Sequence, residues 1–229
     1  MSDARRWALM LPVLGLVFML ACTDSSTNSN NGDGAWQTVF SDDFNRADGD
    51  PGANWSSQLY PAGSALIANH KLRVADGQFW AVRYAGTVNQ ADIRVSARCS
   101  TATISSATSF AVVARSRNLG NNWMQQEFYM AGAAPASDGI SLARYVGSGY
   151  QSTTPGTFAM GPNHWYRLSL ECDGPALTLI IVDEASGASD SLRVTDTYPA
   201  LTGTTVSLNG MLGAGEELYF DDFTVQSFE

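Results

Sequence analysis

The chain has 229 residues, a formal net charge of −9, and a composition that is 45% hydrophobic and 15% charged. That acidic balance argues against nucleic acid and anionic polymers as partners. Three cysteines and two histidines, with no Cys-x-x-Cys spacing, argue against a zinc centre.

The chain opens with Arg5 and Arg6, then an apolar run from Trp7 to Ala21, then Cys22. A short basic region followed by about fifteen apolar residues reads as a secretory signal, short of the roughly twenty that an ordinary spanning helix needs. A short membrane anchor is the other reading of that run. The surroundings of Cys22 resemble a bacterial lipobox: small Ala21 precedes the cysteine, although Met19 and Leu20 depart from the favoured leucine and small residue. That resemblance implies a signal peptide over 1–21 and lipid on Cys22, which would anchor the protein in a bacterial cell envelope, outside the cytoplasm. Residues 23–34, TDSSTNSNNGDG, contain no apolar side chain. They cannot bury enough surface to offset their ordering entropy, so 22–34 reads as a polar tether. Residues 35–229 remain, a length that suits one all-β domain.

The first stretch of that domain, FSDDFNRADGDPGANW, is rich in turn residues. Strand candidates follow in order: ALIA, KLRVA, QFWAVRYA, DIRVSARCS, SFAVVARS, WMQQEFYMA, ISLARYV, WYRLSLECDG, ALTLIIVD, SLRVTD, TVSLNGMLG and LYFDDFTVQS. In DIRVSARCS, Ile93, Val95, Ala97 and Cys99 alternate with polar residues; in WYRLSLECDG, Tyr166, Leu168, Leu170 and Cys172 do the same. Period-two alternation marks strands with one face in a core. Gly, Pro, Asn and Asp clusters such as DGPA and EASGAS separate them. About a dozen short strands with turn signals every eight to twelve residues predict a sandwich or barrel. Cys99 and Cys172, left as an even pair outside the cytoplasm and both on apolar faces, are expected to form a disulfide.

Four segments in this order, FSDDFNRADGDPGANW, FAVVARSRNLGNNWMQQEF, NHWYRLSLECDGPALTLIIVD and LYFDDFTV, resemble a concanavalin A-like (LamG-like, laminin-G-type) jelly roll. The resemblance spans about residues 36–228. It implies an all-β, two-sheet antiparallel jelly-roll sandwich, the fold of many lectins and glucanases, with the first and last strands side by side. Both end segments carry an Asp-Asp-Phe. Related jelly rolls often hold a structural calcium at such a terminal Asp, which would fall here on Asp221 with Asp43 as partner. Capping of turns by these carboxylates is the alternative.

The fold does not by itself decide the activity. The E-x-D-x-x-E spacing of laminarinase-type glucanases is missing, and retaining hydrolysis needs two carboxyls about 5 Å apart. His70 and His164 stand alone in the sequence, at a hairpin turn and a strand start. Within WMQQEFYMA one face carries Trp123, Gln125, Glu127 and Tyr129, and the other carries Met124, Gln126, Phe128 and Met130. AVVARS puts Arg115 on a face with Val113 and Ala111, and SLARYV offers Arg144 or Tyr145 depending on register. Sugars stack on aromatic rings and bond to planar carboxylate and guanidinium groups. The expected set is therefore Arg115, Trp123, Glu127 and Tyr129, in a membrane-anchored, non-catalytic module that binds a glycan or polysaccharide. A diverged glycoside hydrolase or polysaccharide lyase is the alternative.

Overall fold

The structure, a computed structural model, describes residues 35–60, 63–76, 79–117 and 126–228. The expected signal segment and tether, with Cys22 and Trp123, lie outside them. Fifteen strands are described: β1 (Trp36–Asp42), β2 (Trp55–Tyr60), β3 (Ser64–Ala68), β4 (Lys71–Ala75), β5 (Phe79–Tyr84), β6 (Ile93–Thr101), β7 (Ser109–Arg117), β8 (Gln126–Ala134), β9 (Gly139–Gly147), β10 (Gly149–Thr157), β11 (Tyr166–Asp173), β12 (Ala176–Asp183), β13 (Ser189–Thr195), β14 (Thr205–Met211) and β15 (Glu217–Phe228). One 3-10 turn, Pro135–Ser137, interrupts them.

Sheet A runs β13-β12-β11-β6-β15-β4-β3, with β1 also on β15; sheet B runs β10-β9-β8-β7-β14-β5-β2. Neighbours pair antiparallel, as the alternating pattern and short connections require. The inner faces meet in one core: Ile93, Val95, Ala97, Leu168, Leu170 and Leu179 from sheet A pack with Phe110, Val112, Leu142 and Leu208 from sheet B. The result is the expected jelly-roll sandwich, with β1 and β15 side by side.

The two Asp-Asp-Phe segments have different jobs. In the first, Asp42 is the node. Its Oδ1 accepts from the Phe44 amide and from Arg46 Nη1, both at 2.8 Å; its Oδ2 accepts from Arg46 Nη2 at 2.8 Å and Trp55 Nε1 at 2.7 Å. Arg46 Nη2 also reaches the Pro51 carbonyl at 2.7 Å. The Asx-type turn sets Phe44 at φ 52° and sends its ring fully into the core. One carboxylate thus ties together the turn, the following loop and β2.

In the second segment the strand is irregular. The β15–β6 register shifts between Asp221 and Thr224, and Asp222 has φ 45°. This β-bulge lets Phe220 and Phe223 both face the core, 1% and 0% exposed. Simple alternation puts them on opposite faces; the bulge corrects that expectation.

The expected Cys99–Cys172 disulfide is also corrected. Both thiols are buried and free. Their strands do pair and both point inward, but Cys99 lies opposite Tyr166, whereas Cys172 lies opposite Ile93. A six-residue offset along a strand is about 20 Å, far beyond the roughly 7 Å that a bridge tolerates between Cα atoms. Burial pushes the Cys172 thiol up to about 12 and the Cys99 thiol well above its ordinary value. Both should resist alkylation in the folded protein and react fully after denaturation; a Cys99–Cys172 cross-linked peptide in non-reducing mass mapping would contradict this register.

Burial acts to raise the pKa of Asp42, but its bonds from Arg46, Trp55 and the Phe44 amide outweigh that and hold it below the usual aspartate value. A carboxyl depressed in the folded state adds stability above its unfolded pKa and loses it as pH falls through the folded one. Asp42→Asn should therefore cost roughly 1.5–3 kcal/mol at neutral pH, the range for hydrogen bonds to a charged group. The gap between variant and wild type should shrink as pH drops below about 4. Urea denaturation across pH checks both statements.

Candidate functional site

Sheet B has an outer face with its own small apolar cluster, separate from the core. Val113 and Phe128 are buried there, with Met130 and Tyr145 packed against them. The alternation explains this: Val112 and Ala114 face the core, so Val113 faces out. The antiparallel register places Phe128 opposite Tyr145, and Tyr145 opposite Tyr150. The Phe128 and Tyr145 rings lie parallel with centroids 4.8 Å apart; Tyr150 meets Tyr145 edge-on at 5.4 Å. Tyr150 is 60% exposed. A three-ring ladder therefore climbs across β8, β9 and β10 from a buried base into solvent.

Beside the ladder the face is low. Gly132 lies opposite Ala111 on β7 and Ser141 on β9. A Cβ at Gly132 would stand 3.5 Å from both Met130 Cε and Ser141 Oγ. Farther along, Asn209 lies between Ala111 and Ala81 and accepts from the Ser207 hydroxyl at 2.6 Å. Arg83 Nε donates to Ser56 Oγ at 3.3 Å. Amide, hydroxyl and guanidinium groups thus share the sheet face that carries the aromatic ladder, the mixture that polyhydroxylated ligands use.

The structure does not bring the expected ligand set together on this surface. Tyr129 faces inward and is fully buried. Its hydroxyl donates to Asp196 Oδ2 and accepts from Arg144 Nη1 at 3.0 Å and the Leu201 amide at 3.1 Å. Burial first, then the Asp196 bond, push its pKa up to about 12. Arg115 is inside as well. Its guanidinium donates to the Gly174 carbonyl at 2.7 Å, the Cys172 carbonyl at 3.3 Å and the Ala91 carbonyl, and it pairs with Asp92 at 3.4 Å. Both residues depart from the expected outward placement: they lie together in the interior at one end of the sandwich. Glu127 is bound to Arg117 through Nε at 3.0 Å and through Nη2. Trp123 falls outside the described residues.

The reason is a parity choice. Both halves of WMQQEFYMA carry aromatics, so alternation does not say which half is the core. The outward half holds Phe128 and Met130, and the outward choice within SLARYV is Tyr145. A register shift between Ala114 and Arg117, with Arg115 at φ 47°, turned the arginine inward. The missed residues are Phe128, Met130, Tyr145 and Tyr150. The cross-strand aromatic match between Phe128 and Tyr145 becomes visible only once the β8–β9 register is known.

Asp43 and Asp221 are each engaged by protein groups. Asp43 Oδ1 accepts from the Asn45 amide at 3.0 Å. Asp221 pairs with Arg98 at 3.3 Å and accepts from the Asp222 amide at 3.0 Å. Among the described residues no three His, Cys, Asp or Glu side chains gather as a metal-binding group. His164 is not isolated: its Nδ1 lies 3.2 Å from Asp183, which also accepts from Ser186 Oγ at 2.8 Å and the Ala185 amide at 2.9 Å. His70 sits in the β3–β4 turn at φ 60°.

No family model and no curated protein matches the sequence. Solved structures do match in shape. A protein of unknown function with a galectin-like fold from Bacillus subtilis superposes with a TM-score of 0.64 at 14% identity, over 85% of this chain and 99% of that one. The carbohydrate-binding module CBM66 from Bacillus subtilis gives 0.59 at 11% identity, over 76% and 96%. Peanut lectin gives 0.58 at 9% identity, over 86% and 99%. At these identities the likeness establishes the fold: a lectin-like jelly-roll sandwich of the concanavalin A type.

Proposed function

We propose that this chain is a non-catalytic carbohydrate-binding module, held at a bacterial cell envelope by lipid on Cys22 and presented by the tether 22–34. The observation that carries the reading is the Phe128–Tyr145–Tyr150 ladder, whose outermost ring stands in solvent on the sheet face that also carries half-buried Asn209 and Ser141. An exposed tyrosine packed on a second ring is stiff, so a sugar can stack on it with little further loss of side-chain freedom. Shape likeness to a carbohydrate-binding module and a lectin supports the same class. The net charge of −9 favours neutral over anionic glycans.

Tyr150→Ala should weaken binding to a soluble neutral polysaccharide about threefold to tenfold, the equivalent of one aromatic contact. Its melting temperature should stay close to wild type because the ring is mostly in solvent. Affinity electrophoresis over a panel of a β-glucan, a mannan and a galactan reads this. Unchanged mobility of the variant against a retarded wild type removes the ladder from the site, and release of reducing ends from any of the three removes the non-catalytic part. Cys22→Ser should move the protein from the membrane fraction to the soluble fraction; continued membrane association defeats the anchoring.

A further inference from the structure

The outer face of sheet A, on the opposite side of the core from the ladder, carries a second group of side chains that the first site leaves unused. Its centre is the bulge in β15. In a regular strand Asp221 and Asp222 would point to opposite faces. Here both reach Arg98 Nη1, at 3.3 and 3.5 Å, so both stand on the outer side. Asp222 also lies 3.5 Å from Arg167 Nη2. A non-glycine residue at φ 45° is a backbone cost, and such costs concentrate where a side chain has to be aimed.

The indole of Trp165, just before β11, completes the group. Arg98 lies over its ring at 4.8 Å and Lys71 at 5.9 Å. The indole is half-buried, while Asp222 keeps 43% of its side-chain surface in solvent. The floor beside them is polar: Ser96 and Thr224 hydroxyls meet at 2.6 Å between β6 and β15. Burial, with the neighbouring Asp222 charge, raises the pKa of Asp221 despite the Asp222 amide and Arg98. Glu184 joins the group, accepting from Arg98 Nε at 2.8 Å and Arg167 Nη2 at 3.1 Å, so both guanidinium groups are shared among three carboxylates.

We infer that the outer face of sheet A is a second carbohydrate-contact surface, built from Trp165, Arg98, Arg167, Asp221 and Asp222, for neutral sugars. Carboxylate acceptors and guanidinium donors alternate there with nearly balanced charge. A sugar hydroxyl both donates and accepts, so it satisfies such a surface where a polyanion would meet Asp222. The half-buried indole packs against Arg98 and Lys71 and supplies the apolar part of the surface. This inference rests on the carbohydrate reading of the domain but uses a different surface. A single domain would then engage sugar chains on both flanks and bridge them.

Isothermal titration of the full chain with oligosaccharides from the polysaccharide that retards it counts the sites. Precipitation of the full-length polysaccharide reports bridging. Wild type should show two sites and precipitate the polymer. Trp165→Ala should leave one site and abolish precipitation. Asp222→Asn should do the same, and it keeps a residue type that tolerates this backbone conformation if the tryptophan change harms folding. Tyr150→Ala should remove the other site. Two sites retained in both sheet A variants overturn the inference, as does a single wild-type site lost with Tyr150 alone, which leaves the first surface intact. No retardation by any polysaccharide overturns the carbohydrate reading and this inference together.

Discussion

A strand has a period of two, yet β15 must bury two phenylalanines three residues apart. That constraint governs sheet A. β15 is the longest strand, twelve residues, and pairs with β6 along most of its length, with β4 at its start and with β1 at its end. Phe220 packs edge-on with Trp80 of sheet B, centroids 5.3 Å apart, and Phe223 meets Trp55 and Phe40 at the other end of the core. Without a bulge one of the two rings would turn to solvent, and β15 would lose either its β4 or its β1 end from the core. The left-handed residue at 222 resolves the conflict. The change of parity also turns Asp221 and Asp222 to one side.

The amino-terminal segment meets the same end of the core from the other direction. Asp42 holds the turn that inserts Phe44, and Phe44 lies 5.2 Å from Trp55, whose indole N–H is bound to Asp42 in turn. Phe40 stacks on Tyr84 at 3.9 Å. The first and last described strands are therefore joined through aromatic packing, with the Asp42 carboxylate accepting from Arg46, the Trp55 indole and the Phe44 amide that the turn brings inside. The shared Asp-Asp-Phe reflects a shared need to aim a ring inward. It is met by an Asx turn at one end and by a bulge at the other.

Much of this architecture was legible in the sequence, and the limits were physical. Alternation in DIRVSARCS and WYRLSLECDG gave β6 and β11 with the correct inner faces. β10, Gly149–Thr157, was missed because its Ser, Thr, Pro and Gly residues resemble a loop; it is an edge strand, where such residues are tolerated. Pairing was not legible either. Cys99 and Cys172 are inward on neighbouring strands, but the antiparallel register sets them at opposite ends. The candidate site suffered most. In β7 and β15 a bulge inverted parity, and in β8 both halves of the pattern carried aromatics, so burial and exposure exchanged places for Tyr129 and Phe128.

The interior web around Tyr129 has a consequence for how this domain can diverge. Arg144 is held by Asp196, by the Tyr129 hydroxyl and, through Nε, by Gln151 at 2.7 Å, and it lies over the rings of Tyr129 and Tyr198. Arg144, Asp196 and Tyr129 are all nearly or fully out of water. Losing any one leaves the others with an uncompensated charge or orphaned donor, whereas an apolar trio of similar volume could fill the same space. Their effects are therefore strongly epistatic. Drift along this lineage would keep all three or replace all three, and chains that hold only one or two of them should be rare among its relatives.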